Sequence, residues 1–166
     1  MDWNDPLRPA IHEIGHVVVE YVLRGSARDC YCYKEEDGSY GGQTAALASA
    51  QPTGELSLQE NINLAAEFAG GWAAVNLAIS GGLLPAAPAN VETTPGDFGY
   101  FGSDNEWVTK LAAVAEPNNP SSAEGRAKTL ALNILEPHIN AVHDLATFCV
   151  GAGYVSGQMV EEAIVR

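Results

Sequence analysis

Ala10-Ile11-His12-Glu13-Ile14-Gly15-His16-Val17-Val18-Val19 is the stretch whose reading decides the fold. Ile11, Ile14, Val18, Val19 and Val22 repeat at helical spacing as far as Leu23, which predicts an amphipathic helix over about Pro9 to Leu23. Pro6 and Pro9 suit its first turn and Gly25 its stop. On that helix His12 and His16 lie one turn apart on one face, so both imidazoles can reach one metal ion. Glu13 stands beside them and would face the fourth coordination position, where zinc holds a water whose pKa falls towards about 7. Such chemistry needs neutral imidazoles and a carboxylate that stays off the metal. The competing reading is a short pattern arising by chance, with ordinary helix histidines. Gly15 weighs against it: glycine costs a helix roughly 1 kcal/mol relative to alanine, so something must pack closely there or a metal must offset the loss.

The chain has 166 residues, enough for one domain with a real core and no need of staples, and 46% of it is apolar. Against 21 acidic residues stand 8 basic ones, for a formal charge of -13. That balance repels nucleic-acid phosphates and anionic lipid, so neither is expected as a partner, and its plainest role is solubility. Cys30, Cys32 and Cys149 are the three cysteines, spaced like neither a zinc knuckle nor a redox pair. They read as buried thiols, which points to a reducing compartment, the cytoplasm. No apolar run reaches the length of a membrane span, and no phosphate-binding glycine loop of the Walker type occurs.

After the first helix, Cys30-Tyr31-Cys32-Tyr33 alternates like a strand, Asp37-Gly38 marks a tight turn, and Ser39 to Ala46 reads as the second strand of a hairpin. Gly41-Gly42 suits a bulge or a close backbone approach; an extended peptide could add at that strand, and plain turn glycines are the equal alternative. Ser57 to Ser80 is the longest helical pattern. Its small residues, Ala69-Gly70-Gly71 and Ala73-Ala74, predict tight packing on the histidine helix, and they offer a face for a homo-oligomer. Gly81 to Gly102 is rich in glycine, proline and alanine and is expected as a long exposed loop. Ser103 is a candidate cap for a helix running to Ala115. Pro117 to Ser122 reads as a loop, Ala123 to about Gly151 as helix interrupted near Pro137, and Ser156 to Ile164 as the last helix.

Two histidines hold zinc poorly, so a catalytic site requires a third protein ligand. Helix phase selects among the acids. From Asp104, the residues three, four, seven and eight further on are Trp107, Val108, Leu111 and Ala112, which places that carboxylate on the buried face. It also sits in the first turn, where the helix dipole favours an anion. Glu106 fits the phase less well. Glu60 and Glu67 on the long helix are further alternatives, although the favoured reading of both is solvated helix surface.

Taken in order, Ala10 to Val17, Gly41-Gly42-Gln43-Thr44, Phe68-Ala69-Gly70-Gly71-Trp72-Ala73-Ala74 and Gly102-Ser103-Asp104 resemble the peptidase domain of the FtsH family of zinc metalloproteases, and Ala131 to Ala146 and Gly153 to Ile164 are similar to its last helices. The resemblance spans nearly the whole chain. It implies a mainly α, zincin-like metallopeptidase domain with a small β-hairpin, one domain over 1–166, binding Zn2+ through His12, His16 and a distant aspartate, with Glu13 as general base. The family's aspartate follows a Gly-Ala-x-x pattern; a gapless match reaches Glu106 and a two-residue shift reaches Asp104, which the helix phase favours. The chain departs from the family in carrying no ATPase module and in placing Val75 where the family has an acidic residue. The activity implied is therefore ATP-independent hydrolysis of peptides or unfolded proteins. The competing function is a non-catalytic or regulatory zinc-binding module, against which an intact Glu13 argues. His138 and His143, five residues apart, are poorly placed to share a metal and read as ordinary helix histidines, and Trp3, Trp72 and Trp107 as core or interface anchors.

Overall fold

The computed structural model describes residues 5–44, 56–86 and 104–165. They form a mainly helical fold with one small antiparallel sheet. The first helix, α1, runs Leu7–Arg24 and buries Ala10, Ile11, Ile14, Val17, Val18 and Val19. Gly25, at φ 87°, ends it in the left-handed region, its N–H donating to the Tyr21 carbonyl. Strands β1 (Cys30–Lys34) and β2 (Tyr40–Thr44) pair antiparallel around Gly38, also at φ 87°. The Asp37 carboxylate closes that turn by accepting from the backbone N–H and the hydroxyl of Ser39.

The long helix α2, Leu58–Ser80, starts with a reciprocal capping box between Ser57 and Glu60. Length and composition would let it cross a membrane, yet 67% of its apolar window is buried inside the protein, where it is the core helix. It meets α1 through glycine. A Cβ on Gly15 would lie 2.5 Å from both the Ala74 Cβ and the Gly70 carbonyl oxygen, and one on Gly70 would lie 2.7 Å from the Gly15 carbonyl oxygen. The helix cost of Gly15 is thus offset by a backbone-to-backbone contact that no side chain permits. The small-residue face of α2 packs on α1, as its composition led one to expect.

Helix α3 (Asp104–Ala115) packs Val108, Leu111 and Ala112 inward, and α4 (Pro120–Leu135) follows. The loop expected over Pro117 to Ser122 is shorter than that, because Pro120 opens α4 in the first turn, where its missing N–H costs nothing. A 3-10 turn at Glu136–His138 carries Pro137 and leads into α5, Ile139–Ala152, which Gly153 stops at φ 83°. Tyr154–Val155 then forms β3 on the free side of β1, giving the order β2-β1-β3, before α6, Gly157–Ala163. The expected hairpin is therefore part of a three-stranded sheet, its third strand too short to leave a periodic signal.

The reading of three buried thiols is corrected: Cys32 and Cys149 form a disulfide between β1 and α5, and Cys30 alone is a free, buried thiol. With the partners 117 positions apart in the sequence, their spacing carried no trace of the contact. The end of the second strand at Ala45 and Ala46, the loop from Ala87 to Gly102, the cap at Ser103, and Trp3 lie outside the described residues.

Candidate metal centre

His12 and His16 project from the α1 face that meets α2, with ring centroids 4.7 Å apart and planes at 81°. His12 is 7% exposed, and α2 makes room for it at Gly71, where a Cβ would fall 2.5 Å from the imidazole. His16 is oriented by backbone: its Nδ1–H donates to the Glu67 carbonyl at 2.7 Å, which fixes the tautomer and leaves Nε2 as the donor to a metal. Asp104, in the first turn of α3, brings its Oδ2 to 3.1 Å from His12 Nε2 and 3.0 Å from His16 Nε2, and the two Nε2 atoms are 3.1 Å apart. One turn further along α3, Trp107 stacks on Phe68 of α2 with centroids 5.5 Å apart, which pins this helix beside the histidines.

These three atoms form a nearly equilateral triangle. Bonds of about 2.0–2.1 Å at tetrahedral angles set neighbouring donors about 3.3 Å apart, so the triangle is within a few tenths of an ångström of what one zinc ion requires. Two imidazoles and one carboxylate are also the donor set of catalytic rather than closed structural zinc sites. The Asp104 side chain keeps 26% exposure, so the triangle meets solvent on that side.

Electrostatics point the same way. Burial alone would lower the His16 pKa, but Asp104, then Glu13 and the Glu67 carbonyl, outweigh it and push the group up to about 9. For Asp104, burial works upward and the two imidazoles overcome it, holding the carboxyl well below its usual range. The carboxylate and the protonated imidazole thus stabilise each other's charged forms.

Glu13 is positioned from the other side by β2. Thr44 Oγ1 donates to Glu13 Oε2 at 2.5 Å, and Gly42 lies so close that a Cβ there would sit 2.7 Å from Glu13 Cγ. The glycine of the Gly41-Gly42 pair is therefore a close-approach residue, and the element approaching is α1.

The other acids have separate duties. Glu106 is exposed on the outer side of α3. Glu60 accepts from the Ser57 N–H at 2.7 Å as part of the α2 cap. Glu67 is not solvated surface, as one reading had it: it is 7% exposed and takes a two-pronged ion pair from Arg24, with N···O distances of 2.6 and 2.8 Å. His138 and His143 take no part in the cluster, which among the described residues comprises His12, His16 and Asp104. Sequence reasoning missed the Glu67 carbonyl, the Gly71 clearance and the Thr44 hydroxyl. Of these, Gly71 and Thr44 stand in stretches already singled out, whereas a backbone acceptor leaves no residue-type signal. Comparison with models of protein families gives no match for this chain, and neither does comparison with curated proteins.

Proposed function

We propose that this chain is a zinc-dependent metallopeptidase that hydrolyses peptide bonds, with His12, His16 and Asp104 as metal ligands and Glu13 as general base. The observation that carries this reading is the triangle of Nε2, Nε2 and Oδ2 atoms at 3.0 to 3.1 Å, with the Glu13 carboxylate near enough to act on His16 and held by Thr44. The same three donors also suit ferrous iron. Glu13 tips the choice, since a hydrolase needs a base next to its metal and a purely structural site has no use for one. The sequence resemblance to the FtsH peptidase domain supports the same assignment.

When bound, zinc supplies Lewis acidity, making a water acidic near neutral pH and polarising the scissile carbonyl. The chain's own groups do the rest. Glu13 receives a proton from the attacking water and passes it to the departing amine nitrogen. The Glu67 carbonyl keeps the His16 ring from turning, so its Nε2 stays aimed at the site. Among the described residues strand β2, which holds Glu13 through Thr44, lies at the edge of the sheet, and its outer edge suits an extended peptide, the conformation of an unfolded substrate.

The test is cleavage of an unfolded protein by zinc-loaded wild type and by Glu13→Gln. Loss of a general base predicts a fall of roughly 100- to 10,000-fold with zinc content unchanged. Equal inertness of the two proteins would instead favour the non-catalytic zinc-binding module.

A further inference from the structure

We propose that Thr44 is the positioning residue of Glu13, its hydroxyl fixing the direction of the base's carboxylate. The inference rests on the reading of Glu13 as general base and adds the residue that governs it. A glutamate side chain has three rotatable bonds, and a base serves only while its oxygen points at the water. Two contacts remove that freedom here. The Thr44 Oγ1 to Glu13 Oε2 distance of 2.5 Å belongs to the short, charge-assisted class of hydrogen bonds. Gly42, two residues earlier on the same face of β2, receives the Glu13 Cγ in space that any side chain would fill.

The strand that carries both contacts is itself held. Thr44 pairs with Cys30 and Gly42 with Cys32 across the β1–β2 ladder. Cys30 is fully buried, and Cys32 is bonded to Cys149 of α5. The hydroxyl is therefore presented from a braced frame rather than from a loose edge. With Oε2 engaged by Thr44, Oε1 is the oxygen left to act on water.

Valine in place of Thr44 keeps the branched shape and removes the donor, while serine keeps the donor. With zinc-loaded protein and an unfolded peptide substrate, Thr44→Val is expected to lower kcat about 10- to 100-fold, with KM and zinc content within about twofold of wild type, and Thr44→Ser to retain most of the activity. A merely structural role would instead lower zinc content and raise KM along with the loss of kcat. Proton NMR gives a readout independent of turnover. The Thr44 hydroxyl should appear downfield and exchange slowly with solvent, move upfield in Glu13→Gln, and be missing in Thr44→Val. A kcat for Thr44→Val equal to wild type, or a Thr44 hydroxyl in fast exchange with water, overturns the proposal. A wild type inert on every peptide counts against the peptidase reading, while the hydroxyl resonance still decides whether Thr44 holds Glu13.

Discussion

His16 carries the tightest constraint on the site, because three different groups act on its ring. The Glu67 carbonyl holds Nδ1, Asp104 faces Nε2, and Glu13 adds negative charge nearby. Their combined effect, against burial, raises its pKa to about 9 in the cation-free protein, and a metal must displace that proton to bind. The sign follows: below pH 9 each cation bound releases a proton, so apparent zinc affinity should climb roughly tenfold per pH unit and level off near pH 9. Competition titrations between pH 6 and 10 check this; an affinity flat across that range would show that His16 is already neutral. At this scale the sequence was informative where chemistry resides in side chains. Spacing paired His12 with His16, and helix phase singled out Asp104 over Glu106, which lies exposed. It was silent where the partner is a backbone atom, as at Glu67, and where the contact joins distant segments, as between Thr44 and Glu13.

Among the elements, the crossing of α1 and α2 does most to shape the site, since Gly15, Gly70 and Gly71 set how closely the histidines approach α2. Gly15→Ala should gain roughly 1 kcal/mol of helix propensity yet lose more to overpacking against the Gly70 carbonyl, for a net destabilisation of about 1–2 kcal/mol. Denaturant unfolding of the metal-free protein measures it, and a more stable variant would mean that the two backbones can separate without cost. The 3.6-residue periodicity made both helices legible, and the glycine between the ligands gave away the close contact. Strand β3 was not legible because two residues cannot display alternation. The start of α4 was missed because Pro120 reads equally as a loop breaker and as a first-turn residue.

For the molecule as a whole, one hydrophobic cluster runs through α1 to α6, and the Cys32–Cys149 bond ties the sheet to α5 across it. Bridging residues 117 apart removes chain entropy worth about 4–5 kcal/mol in the unfolded state, so Cys149→Ser should lower the unfolding free energy by about 2–5 kcal/mol. Chemical denaturation under non-reducing conditions reads the difference; identical midpoints would mean the bond is not formed in solution. Fold class was readable at this scale from periodicity and glycine placement, whereas the disulfide was not, because pairing depends on a tertiary register that spacing does not encode.

The most direct measurement is the zinc content of the purified wild type beside that of Asp104→Ala, both after equilibration with a slight excess of zinc and removal of unbound metal. Convergence of the three side chains on one cation predicts about one zinc per wild-type chain and almost none in the variant. Equal zinc in both proteins, or none in the wild type, would contradict it.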